Sequence, residues 1–131
     1  MKNPNIVLIL SLSLTSPVFA ADFTTSQICK AGIAAAFGRD PKIIKVKGST
    51  KDFLALQYYR PSDNSLWKFH CKIVDGNQIM WRGAGDPSEP SYVGRWRDDP
   101  NDGKITYSIE KNVIKIDDIT GQHTYKAAQL K

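Results

Sequence analysis

His70 and His123 are the only histidines in the chain, and as a pair they could serve as acid and base or as metal ligands. On the strand expected over 66–74, His70 points away from the core between Lys68 and Lys72. Those two cations disfavour both a bound metal and a protonated imidazole. His123 falls in the last expected strand, and neither histidine has a carboxylate at short spacing, so both read as surface histidines. The acidic run Asp98-Asp99-Pro100-Asn101-Asp102-Gly103 invites comparison with a calcium loop. With Gly103 at the required glycine, Pro100 stands where a ligand belongs and Ile109 where the bidentate Glu should be. A polar turn whose Asp and Asn bind their own backbone accounts for these residues. No G-x-S-x-G is present, and carboxylates in a wet turn lack the raised pKa that glycosidic cleavage needs. The sequence therefore predicts no enzyme, no metal and no cofactor.

The remaining chemistry lies in two cysteines and in arginines interleaved with aromatics. Cys29 and Cys71 are an even pair with no C-x-x-C and no histidine at ligand spacing from Cys29, so a structural disulfide is expected. Tyr58-Tyr59-Arg60, Trp81-Arg82 and Arg95-Trp96-Arg97 combine the side chains that carry most interface energy. On a strand, alternation sends Trp96 opposite to Arg95 and Arg97, which favours aromatics in the core and cations on the wet face. The expected partner-binding surface is then a basic face made of Lys68, Lys72, Arg82, Arg95 and Arg97.

The elements that position these residues begin with a segment that is not part of the fold. Lys2, an apolar run from Ile6 to Leu14 and Val18-Phe19-Ala20 have the layout of a secretory signal peptide. The run is too short to cross a bilayer as a helix. Cleavage after Ala20 makes 1–20 a signal peptide and 21–131 a single domain of 111 residues. In that domain 17 Lys and Arg face 13 Asp and Glu, a net charge of +4. This mildly favours anionic partners, and export argues against nucleic acid.

Thr25 or Ser26 can cap a helix running to about Phe37, where Cys29, Gly32, Ile33, Ala36 and Phe37 share one face. Gly38 suits its left-handed end and Pro41 stops it. Beyond Pro41 the period switches to two. Strands are expected over Lys42–Gly48, Phe53–Arg60, Leu66–Val74, Ile79–Arg82, Tyr92–Arg97, from Ile105 through Ile109, Val113–Asp117 and Gln122–Ala127. Asp75-Gly76-Asn77 is a hairpin signal, and Gly83–Ser91 reads as a mobile surface loop suited to a functional contact. The fold class is α+β: an N-terminal helix packed on a curled antiparallel β-meander of seven to eight short strands. Cys29 on the helix's apolar side and Cys71 on the inward face of the third strand can then meet.

Three segments carry a resemblance: Ile28–Ala35 running into Phe37–Pro41, the Trp67–Cys71 strand, and Gly94–Pro100 leading to Ile105–Tyr107. Together they resemble small exported proteins of proteobacteria of uncharacterised role. The resemblance implies a Gram-negative periplasm and a paired Cys29 and Cys71, and brings no catalytic residues. The function expected is a periplasmic or secreted protein-binding module, an inhibitor or immunity protein for an envelope hydrolase being its most specific form. The alternatives are a carrier of a small apolar or lipid ligand and an envelope structural component. The expected partner is another protein or an anionic envelope component, with no transmembrane segment after signal cleavage.

Overall fold

The helix α1 (Thr25–Phe37) starts one residue earlier than the local Ser and Thr pattern suggests. Thr24 is the cap: its hydroxyl accepts from the Gln27 amide at 3.1 Å, and the Gln27 side chain accepts from the Thr24 amide at 2.9 Å. Gln27 decides the position, because only a residue three places after the cap can return this second bond. Gly38 closes the helix in the left-handed region, with φ of 63°, and its N–H reaches the carbonyls of Ala34 and Ala35. This computed structural model describes residues 23–85 and 88–131. The expected signal peptide, and Asp86 and Pro87 of the expected loop, lie outside the described residues.

Seven strands follow: β1 (Lys45–Ser49), β2 (Leu54–Tyr59), β3 (Leu66–Val74), β4 (Gln78–Gly83), β5 (Ile105–Glu110), β6 (Val113–Asp118) and β7 (Gly121–Lys126). They pair in chain order as one antiparallel sheet, curled into a half-barrel, so the fold is α+β. Short connections dictate this neighbour-to-neighbour order. Asp75 and Gly76 take positive φ in the β3–β4 turn, a conformation that Asp-Gly tolerates at little cost. The Tyr107 hydroxyl donates to the Gly76 carbonyl at 2.9 Å and ties β5 to that turn.

The expected strand Tyr92–Arg97 does not form. β5 pairs with β4 only at Gln78 and Ile79, and the segment Val93–Arg97 takes the edge that β5 leaves. It reaches β4 through the Ala84–Val93 bridge, Gly94 N–H to the Gly83 carbonyl and Arg97 N–H to the Trp81 carbonyl. A regular ladder fails because the chain must turn away at Trp96–Asp98 to reach the start of β5. The Asp98 N–H bonds the Trp96 carbonyl at 3.0 Å in that bend.

α1 touches β2, β3, β4 and β6, which one helix achieves only from inside the curl. Residues Ala31 to Ala35 are buried without a break, so the helix is enclosed on every side at its middle. The short turns Pro41–Ile43 and Ala127–Leu130 pack against it and each other, with Ile44 and Leu130 buried beneath them. Cys29 of α1 and Cys71 of β3 are joined in a disulfide at the centre of this core. The bridge closes a loop of 42 residues, worth about 4 kcal/mol in the chain-entropy treatment.

Two stability outcomes follow from this packing. The Cys29→Ala, Cys71→Ala double variant should lose about 4 kcal/mol in urea denaturation, with a smaller loss pointing to residual order in the unfolded chain. Gly32 lies so close to β4 that a Cβ there would stand 2.8 Å from Ile79 Cγ2. Gly32→Ala should therefore destabilise by about 1–3 kcal/mol despite alanine's better helix propensity. The same change should cost less in an Ile79→Ala background. Unchanged stability of Gly32→Ala would show that the contact can open freely.

Candidate functional site

The five cations expected to share one face are divided. Lys68 and Lys72 project from the outer face of β3, and Arg82 stands beside them on β4, across from His70. There the Arg82 Nε–H donates to His70 Nδ1 at 3.0 Å, while the His70 ring stacks on Phe53 at 3.9 Å. Trp96 folds back over the same patch, with Lys72 Nζ at 4.2 Å and the Arg82 guanidinium at 4.3 Å from its ring centre. Arg95 is instead bound to Asp102 through two bonds of 2.8 and 2.9 Å. Arg97 lies over Trp81, an inward-facing ring, and also approaches Asp102 at 3.7 Å. Arg95 and Arg97 thus belong to the acidic turn, where hydrogen bonding to Arg95 holds the Asp102 carboxyl down at about 2.

That turn is a short 3-10 segment, Pro100–Asp102, capped by Asp99, whose carboxylate accepts from the Asn101 amide at 2.8 Å. Asp102 accepts from the Asp99 amide at 3.0 Å, so the polar residues satisfy local backbone as expected. His123 does have a carboxylate neighbour, contrary to expectation. Asp118 lies 3.4 Å from its Nε2 across the β6–β7 turn, a spacing of five residues that only the hairpin closes. Thr120 sits between them, its hydroxyl 2.6 Å from Asp118 Oδ1 and 2.8 Å from His123 Nε2. The Thr120 hydroxyl donates to the carboxylate, and the trio braces the turn.

The more pronounced surface feature is the end of the half-barrel where α1 terminates. β2, β4 and β6 end there, and β3 and β5 begin there. A helix of 13 residues is about 20 Å long, whereas the nine residues of β3 extend about 30 Å. Inward-facing residues at this end therefore pass beyond the last helical turn. Phe37 covers part of the gap, with ring centres 4.9 Å from Phe69 and 5.1 Å from Trp81. What remains is an open cleft of about 440 Å³ floored by Phe37, Trp67, Phe69 and Trp81 and edged by Arg60, Lys68 and Arg97.

Trp67 is held in place by a closed circuit. Its indole N–H donates to Ser65 Oγ at 2.8 Å, and that hydroxyl donates to Asp63 at 2.7 Å. Asp63 accepts two bonds from Arg60, whose guanidinium returns over the Trp67 ring at 4.9 Å. Arg60 and Ser65 hold the Asp63 carboxyl well below the usual carboxylate range. The exposed large apolar residues Tyr59, Trp67, Tyr92, Val93 and Ile119 all lie at this end of the sheet. Alternation alone places Trp67 and Trp81 inward; the mismatch between helix and strand lengths is the sequence signal for their exposure.

Comparison of the chain with family models, curated proteins and solved structures returns no match to any of them. The site is therefore read from its own geometry.

His70 gives a pH test of the outer cluster. Burial, and then the Arg82 charge, push its pKa below the ordinary value of 6.5. Folding thus favours the neutral ring, so its contribution is present above about pH 6.5 and is lost as pH falls toward the folded pKa. The urea midpoint should fall on acidification from about pH 7 to about pH 5, and His70→Gln should blunt the fall. Equal falls in both proteins would show that the preference for a neutral His70 contributes nothing to the acid sensitivity.

Proposed function

We propose that the protein is an exported protein-binding module that receives a protruding part of its partner in the cleft at the end of α1. The carrying observation is Trp67, 37% exposed yet fixed by the Ser65–Asp63–Arg60 circuit. A side chain ordered before binding loses little entropy on contact, and Trp and Arg are the types that dominate interface energetics. Trp81 under Arg97 repeats the combination on the neighbouring strand β4. The cations on the rim suit a partner surface carrying carboxylates.

Export is supported by the leader-like residues 1–20, by the resemblance to exported proteobacterial proteins and by a disulfide, which persists in oxidising compartments. An inhibitor or immunity protein for an envelope hydrolase is the specific form of this reading. It requires the cleft to grip a loop beside the hydrolase's active site. Carriage of an apolar ligand inside the curl is disfavoured because α1 and its buried Ile28 and Ile33 fill that space.

Crosslinking followed by affinity capture from envelope extract tests the proposal. The wild-type protein should hold one stoichiometric partner, and Trp67→Ala should weaken that complex by about 30-fold or more, the scale of an interface hot spot. Asp63→Ala, which frees the indole without removing it, should weaken it less. Absence of a stoichiometric partner, or a complex indifferent to Trp67→Ala, would contradict the reading.

A further inference from the structure

The charge on the sheet is segregated along the strand order. β1 to β4 carry five cations, Lys45, Lys47, Lys68, Lys72 and Arg82, and not one Asp or Glu. β5 to β7 carry Glu110, Asp117 and Asp118 against Lys115 and Lys126. Register places Lys45, Gln57 and Lys68 in one row across the outer face, with His70 and Arg82 in the next. Lys72, four residues after Lys68, shares that face. Lys72 and Arg82 are held over the same indole, Trp96, and pair with no carboxylate among the described residues. Tyr59, two residues after Gln57 and 53% exposed, adds an amphipathic ring to the same side.

We propose that the outer face of β1–β4 docks on an anionic lipid surface. Uncompensated cations near one another repel, so the arrangement is favoured when an external anion supplies the missing charge. The residue types select the kind of anion. Protein interface cores are depleted in Lys, and here lysines outnumber the single arginine. Lysines attracted to a negative bilayer each contribute without fixed geometry, and a tyrosine ring sits well at headgroup depth. The face is the convex side of the curled sheet, away from α1. This surface is the other side of the sheet from the Trp67 cleft and meets it at Lys68; it goes beyond partner binding and does not depend on it.

Co-sedimentation of the purified protein with vesicles tests it. Phosphatidylcholine vesicles containing phosphatidylglycerol should bring the protein down, pure phosphatidylcholine vesicles should not, and high salt should release it. Lys45→Gln with Lys72→Gln should reduce binding about 25-fold, roughly fivefold for each charge removed. Circular dichroism melting checks that this double variant is folded. If loss of the Lys72–Trp96 contact unfolds it, Lys45→Gln alone, at an exposed position on the edge strand, should still lower binding about fivefold. Trp67→Ala should bind vesicles like the wild type, so failure of either proposal is visible separately. Equal sedimentation with both vesicle types would overturn the lipid proposal. So would binding indifferent to the lysine substitutions, or loss of an acidic protein rather than of vesicles when they are made.

Discussion

The disulfide between Cys29 and Cys71 joins the only α-helix among the described residues to the central part of the sheet, and the rest of the architecture depends on where it puts that helix. The helix has Gly32 and four alanines on its surface, small residues that let β4 approach until Ile79 fills the space a Cβ would take. Such a helix has little apolar area of its own to bury. A covalent tie, which acts mainly by restricting the unfolded chain, supplies stability that small side chains cannot. The sheet then curls around the helix, and the turns at Pro41–Ile43 and Ala127–Leu130 close the remaining side.

Fixing the helix also fixes what it leaves uncovered. Its last turn ends at Phe37, while β3 and β4 run on, so Trp67 keeps its inward orientation with no helix above it and Trp81 meets only the ring of Phe37. Arginines compensate: Arg60 lies over Trp67 and Arg97 over Trp81. Guanidinium groups stacked on indoles shield part of the aromatic surface while leaving it available to a partner. The cleft thus follows from a difference in element lengths, and its side chains are ordered by local hydrogen bonds.

Much of the fold was legible because hydrophobic period is a local property. Leu66–Val74 alternates so cleanly that its boundaries are read without error, and Asp75-Gly76 names the turn after it. The pairing of Cys29 with Cys71 emerges from two such periods meeting. Tyr92–Arg97 misleads for the same reason. Its alternation is strand-like, but the edge of β4 and the Arg95–Asp102 pair decide its path, and neither is local. The site was less legible than the fold. Arg95 and Arg97 look equivalent to Lys68 and Lys72 as cations, yet Asp102 claims the first and Trp81 the second. His123 finds Asp118 only once the hairpin closes. Contacts made across turns and by side chains bending back do not show in a sequence period.

The claim that the bridged helix organises the molecule is tested most directly by amide hydrogen exchange in the oxidised and reduced protein. Exchange protection reports the free energy of opening for each segment. If the account holds, amides of Thr25–Phe37 and of Leu66–Val74 are among the slowest in the oxidised protein. Reduction then speeds both together, along with the indole N–H of Trp81, whose ring rests on Phe37. Contradiction would come from a helix whose exchange is unchanged by reduction, or one that opens freely in the oxidised protein while the sheet remains protected.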